Sequence, residues 1–292
     1  MKKALVVLDA SLSEDAFMKQ NKLFFDASKN LGISLVVKKN AEIYTYLNNT
    51  KVKSYESFGT YDFVFFLDND VWLARNLEML GIKVFNSSSA IDMCENKASM
   101  YQTLIKNNIN IPKTVILPSV VDFDINYISD FVSQAIDDLG LPLIVKQWYG
   151  DYGKGVFLAK TRNDVFDLIK KFEGRELMLQ EFISESAGTD IRICVVKNKV
   201  VAALRRIAAH EDFRSNLALG GSMEKHIPTY LEQKLAVDAC SATGCKFAVV
   251  DILKSINGPV VCEVNTSSNI TNLQQVADTN IAEMIFKTCL KG

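Results

Sequence analysis

The stretch Leu143–Lys160, LIVKQWYGDYGKGVFLAK, constrains the fold most. Three glycines, Gly150, Gly153 and Gly155, stand between one apolar run that carries Lys146 and a second apolar run. A P-loop is excluded, because Val156 and Phe157 occupy the places where that loop needs Lys and then Ser or Thr opening a helix. A dinucleotide fingerprint is excluded as well: the order is Gly-x-x-Gly-x-Gly, and GVFLAK reads as a strand. What remains is strand, glycine turn, strand, with Lys146 projecting from the first. Such a hairpin can close over a phosphate chain, since glycine lets backbone N–H groups come close to the oxygens. An ordinary hairpin turn is the alternative.

The elements around this hairpin alternate. ALVVLD precedes a helix expected to open with a capping box from Ser11 to Glu14, to carry Phe17, Phe24 and Leu31 on one face and to stop at Gly32. ISLVVK, DFVFFL and IKVFN follow as strands, so a first α/β unit ends near Ser89. A helix is expected from Ile91 through Lys97, Met100 and Leu104, then a strand at IPKTVIL and an amphipathic helix ending at Gly140. After the glycine hairpin come a short helix near Val165–Phe172, the strand LMLQEFI and a hairpin turning at Lys197–Lys199. A helix capped by Thr229 and Glu232 leads to FAVVDIL and VVCEVN, joined by a turn at Asn257–Pro259, so the second half reads as α+β.

Several function classes have little material here. Lys plus Arg number 33 and Asp plus Glu 34, so no global field would draw in nucleic acid or an anionic membrane. The apolar run after Lys2 and Lys3 is too short for a signal peptide, nothing approaches a membrane span, and a cytoplasmic protein is expected. The six cysteines contain no C-x-x-C pair and read as buried thiols, while two histidines, His210 and His226, cannot build a histidine-rich metal site. Any metal should be held by oxygen.

VVDILKSINGPVVCEVN carries the most specific chemistry. On paired strands Asp251 and Glu263 can lie side by side, and Asn265, two residues on, shares a face with Glu263. Buried carboxylates this close repel unless a cation or proton intervenes. An all-oxygen set suits Mg²⁺ held through nucleotide phosphates, with surface positions at strand ends as the alternative. In the first unit, Asp68 and Asp70 either face an amine or cap the next helix, and capping is favoured.

In this order the lysine strand with GDYGKGV, then QEFI, GTDIR, VVAALRR, DFRSN, GG, VDIL and EVN resembles the ATP-grasp carboxylate–amine ligases, and within them the RimK-type, glutamate ligase-like family. The resemblance covers roughly 91 to 290 and extends more weakly into the first unit. It implies an ATP-grasp fold, α/β and α+β, with an N-terminal α/β (pre-ATP-grasp) domain over 1–90. A small lobe with the glycine flap would span 91–184, and a large lobe with the metal and substrate site 185–292. It further implies ATP and Mg²⁺, with Mn²⁺ as an alternative ion, and an acyl phosphate attacked by an amine to give an amide. Carried over by position, Lys97 and Lys146 hold the phosphates under Gly150, Gly153 and Gly155. The backbone of Glu181, Phe182 and Ile183 meets adenine, Asp190 lies near ribose, and Asp251, Glu263 and Asn265 hold the metal. Arg192, Arg205, Arg214, Ser215 and Asn216 face the reacting carboxylate and phosphate. This suits chemistry run by arginine and metal without a protein nucleophile. The expected partners are an amino-acid or other carboxylate substrate and an amine acceptor, whether small molecule, peptide or protein tail. Self-association into a homo-oligomer stays open. The chain departs from the family pattern at Asn96, at Val250 and over Thr266–Asn269, and the resemblance implies that this last loop borders the substrate, which leaves open whether glutamate or another amino acid is the added group. A phosphotransferase using the same ATP site and an ATP-binding module without turnover are the alternative functions.

Overall fold

The computed structural model describes residues 1–120, 124–150, 153–209, 212–215 and 220–291. Strands Lys2–Leu8, Ile33–Lys39, Phe63–Leu67 and Val84–Phe85 form a parallel sheet in the order Ile33–Lys39, Lys2–Leu8, Phe63–Leu67, Val84–Phe85. Of its central strands Phe63–Leu67 is buried throughout and Lys2–Leu8 from Ala4 onward, as near-continuous apolar runs in a parallel sheet should be. Helix Glu14–Leu31 covers one face and ends where Gly32 takes φ 63°, the left-handed stop. Its cap is Ser13, which accepts the Ala16 N–H, and not Ser11; Ser11 instead bonds the Asp9 carboxylate. A two-stranded hairpin that the sequence does not announce, Thr45–Asn48 with Lys51–Ser54, is partly exposed, with Val52 buried.

The helix expected from Ile91 is two helices, Ser88–Glu95 and Lys97–Lys106. Asn96 breaks the run in extended backbone, and its side chain accepts the Ser99 N–H to open the second helix. The break sets Lys97 on the first turn, where its N–H donates to the Trp148 carbonyl.

Two antiparallel sheets complete the fold. The smaller runs Thr114–Ile116, Leu177–Glu181, Leu143–Gln147, Val156–Ala159, and its last pair is the expected glycine hairpin. The larger runs Ser222–Lys225, Lys199–Ile207, Thr189–Val196, Phe247–Ser255, Gly258–Asn265. Ile191, Ile193, Val250 and Ile252 on one face of it pack with Ala236, Ala239 and Cys240 of helix Tyr230–Ala242, which opens with the expected Thr229–Glu232 box. Cys194, Leu204, Phe247 and Val249 on the other face share a core with Phe24, Phe65 and Phe286. The last helix, Ile281–Cys289, thus packs against the first unit as well as the large sheet. Asn86 fastens the two: its Nδ2 donates to the Phe247 carbonyl at 2.7 Å, and its Oδ1 accepts from the Lys246 and Phe247 N–H groups. No helix among the described residues is long and apolar enough to cross a membrane.

Candidate active site

A cavity of about 380 Å³ opens between the two antiparallel sheets and reaches the carboxyl ends of the parallel strands. Its floor is one face of the large sheet, which carries a row of charge. Arg206 stands opposite Asp190, Arg192 opposite Asp251, and Asp251 opposite Glu263. Arg192 grips Asp251 with two bonds of 2.8 and 2.7 Å. Arg206 bonds both Asp190 and Asp251, the latter at 2.9 Å. Burial pushes the Asp251 carboxyl up, but the two guanidiniums outweigh it and hold the group below the ordinary aspartate value. For Asp190 burial wins over Arg206, and its carboxyl sits above the ordinary value.

The lysines reach the same place from the opposite side. Lys97 Nζ is 2.9 Å from Glu263 Oε1 and donates to the Gly150 carbonyl at 2.7 Å, joining the glycine turn to the carboxylate row. Against burial, Lys97 and then Lys146 hold Glu263 below the ordinary glutamate value. Lys146, 4% exposed, donates to the Tyr101 hydroxyl at 3.1 Å, and that hydroxyl donates to the Cys262 carbonyl at 2.8 Å. Asn265 Nδ2 lies 3.5 Å from Asp251 Oδ2. The expected trio Asp251, Glu263 and Asn265 therefore does converge, neutralised by protein cations.

The remaining sequence expectations separate. Glu181, Phe182 and Ile183 line the cavity where strand Leu177–Glu181 ends. The Glu181 N–H is engaged by the Lys113 carbonyl, and the Ile183 carbonyl by the Ser186 N–H. Phe213 meets Phe182 edge-on at 6.2 Å, which brings Arg214 and Ser215 to the cavity wall; the Arg214 guanidinium bonds Asp212 and the Gly153 carbonyl. Gly150 and Gly153 also line it, with φ 133° and 73°. Gly155 does not. Its place is set by a close approach, since a Cβ there would stand 3.1 Å from the Gln147 Cβ. Asn216, the flap residues Asp151 and Tyr152, and His210 lie outside the described residues.

Arg205 is a correction. Its side chain is exposed, pairs with Glu224 at 3.7 Å and does not line the cavity, whereas its neighbour Arg206 does. Strand alternation sends the two to opposite faces. The choice between them is made by a β-bulge: Val195 pairs with Val200, but Cys194 pairs with Ala202. Without that extra residue Asp190 would face Arg205. Asp68 is a second revision, because Asp70 alone caps helix Val71–Met79, through the Leu73 N–H, while Asp68 is buried at the cavity wall.

The RimK-like ATP-grasp domain family matches residues 94–289. A protein of Maridesulfovibrio salexigens named probable alpha-L-glutamate ligase is 38% identical over 213 residues, 72% of this chain and 68% of that one. Among solved structures, the RimK domain ATP-grasp protein of Sphaerobacter thermophilus superposes with TM-score 0.70 at 18% identity, over 98% of this chain and 99% of the other. The D-alanine–D-alanine ligase of Bacillus anthracis, solved with ATP, gives 0.73 at 21% identity, over 100% and 98%. At such identities the solved structures speak for the fold. The sequence match extends through the hairpin, the arginine strands and the carboxylate row, and the chain belongs to the RimK-like ATP-grasp family.

Proposed function

We propose that the protein is an ATP-dependent carboxylate–amine ligase that forms an amide through an acyl phosphate, with an amino acid as one substrate. One observation carries this. A single cavity is lined by Lys97, Lys146, Arg192, Arg206 and Arg214 on two opposed sheets, around Asp251, Glu263 and Asn265. Neutralising the oxygens of a transferring phosphoryl group and a reacting carboxylate needs such an array and no protein nucleophile.

Lys97 and Lys146 would meet the phosphates beneath the glycine turn, and Glu181 to Ile183 the base. Asp251 and Glu263, hard carboxylate donors in register on adjacent strands that stay ionised despite burial, fit Mg²⁺ together with the Asn265 amide oxygen two residues beyond Glu263. Bound there, Mg²⁺ would offset the charge of the phosphoryl oxygens. With Asp251 shared by a metal, Arg192 and Arg206 become available to a substrate carboxylate. Arg214, tied to the Gly153 carbonyl, couples the flap to the same place.

Phosphate release screened over carboxylates and amines, with product mass, identifies the substrates. A carboxylate labelled with heavy oxygen should pass label to the released phosphate. A phosphorylated product without amide, or unlabelled phosphate beside amide, would refute the mechanism.

A further inference from the structure

We propose that the parallel-sheet end of the cavity holds the ammonium group of an amino-acid substrate, with Asp68 as its carboxylate partner. The proposal rests on the ligase reading and assigns that end of the site to the amine-bearing substrate. Leu8 and Leu67 pair in register on neighbouring parallel strands, so Asp9 and Asp68 emerge together at their carboxyl ends. Open α/β sheets take ligands there.

Asp68 is 5% exposed and lines the cavity. Its Oδ1 accepts the Asp70 N–H at 3.0 Å, and its Oδ2 has no hydrogen-bond partner. Gln20, 2% exposed, lines the same end with its Oε1 likewise unpartnered. Buried acceptors left unmatched are costly, and a ligand that donates removes the cost. An ammonium carries three donors and the right charge. The two ends of the cavity divide by sign: among the described residues its cations, Lys97, Lys146, Arg192, Arg206 and Arg214, all follow the first unit in the chain, while the first unit contributes Asp9 and Asp68 and no cation. Asp9 is engaged by Ser11 and adds charge rather than a free oxygen. Burial first, then the Asp9 and Asp70 carboxylates, push Asp68 up to about 6 against the Asp70 and Asn69 N–H groups, so a cation beside it would be strongly favoured. Across the same cavity lie Ser267, Ser268 and Asn269, the loop in which the chain departs from the family pattern.

Asp68→Asn keeps the Oδ1 acceptor for Asp70 and removes the charge. Wild type and variant are melted with Mg²⁺ and a non-hydrolysable ATP analogue, then with each standard L-amino acid and with the 2-hydroxy acid that replaces its ammonium by hydroxyl. At least one amino acid should raise the wild-type Tm while its hydroxy counterpart does not. Asp68→Asn should need about 10- to 100-fold more of that amino acid for the same shift, and Asp9→Asn should lose a smaller part of it. The nucleotide shift should persist in both variants. An unchanged amino-acid shift in Asp68→Asn, or equal shifts from the amino and hydroxy acids, would overturn the proposal. No amino-acid shift beside an intact nucleotide shift would overturn it and leave the ligase reading standing. No nucleotide shift in wild type would remove both.

Discussion

Replacing Arg206 by methionine probes the charge row, with Arg205→Met as control, since the two are adjacent in sequence on opposite faces of one strand. Arg206 is 8% exposed and makes both side-chain bonds to Asp190 as well as one to Asp251. Methionine keeps much of the volume and none of the charge, so the loss is that of a buried carboxylate left uncompensated, about 3–5 kcal/mol at neutral pH. For a chain of this size that is roughly a 10 °C fall in Tm. Arg205 has an exposed side chain 3.7 Å from Glu224, and its loss should cost about 0–1 kcal/mol. The pH dependence separates the two further. Without Arg206, the folded Asp190 carboxyl, already above its ordinary value through burial, rises further. The folded chain then binds more protons than the unfolded chain between those two values, so stability falls as pH rises through that window. The Arg206→Met deficit is therefore largest near neutrality and shrinks on acidification. Asp251 in wild type behaves oppositely: held below its ordinary value, it contributes stability at neutral pH that is lost as pH falls through the folded value. Thermal melts by circular dichroism across mildly acidic to neutral pH, on both variants, are the assay. Equal losses in the two variants, or an Arg206→Met deficit that does not diminish in acid, would refute the reasoning.

Lys146→Ala should weaken ATP binding and turnover together, because it removes a buried charge present before and during transfer, whereas Gly153→Val should chiefly slow turnover. The glycine has φ 73°, and a Cβ there would lie 3.4 Å from the Arg214 Cδ, so a branched side chain strains the turn and disturbs the arginine. Binding titrations beside steady-state rates check the split, and wild-type values for both folded variants would reduce the hairpin to a connection. Asn86→Ala leaves the Phe247 carbonyl and N–H and the Lys246 N–H without their partner, and should cost about 2–3 kcal/mol. An unchanged Tm would mean that the joint between first unit and large sheet does not depend on it.

Local signals were legible at most turns and caps, the first helix excepted, where Ser13 and not Ser11 is the cap. The glycine hairpin, the Gly32 stop, the Thr229 box and the turn at Lys197–Lys199 follow from backbone sterics and short-range hydrogen bonds, which neighbouring residues specify by themselves. The break at Asn96 was masked by helical periodicity on both sides of it, and the Asn96 cap together with the anchoring of the Lys97 N–H to Trp148, 51 positions away, accounts for the position of that lysine. The identity of the carboxylate row was readable as residue types. Its register was not. Continuing straight from the hairpin turns, Asp190 would meet Arg205 and Asp251 would meet Cys262; one bulge between Cys194 and Val195 and another between Asp251 and Ile252 substitute Arg206 and Glu263. A single inserted residue reverses which side chains face the cavity, because the strand period is two. The placement of Asp68 was equally beyond the sequence, since whether a carboxylate ends as a helix cap or as an unmatched oxygen in a cavity depends on what packs around it. Residue types and short-range sterics supply the available groups and the segments that turn. Tertiary pairing decided which of them meet, because register is settled by the fit of whole sheets and cores rather than by any local preference.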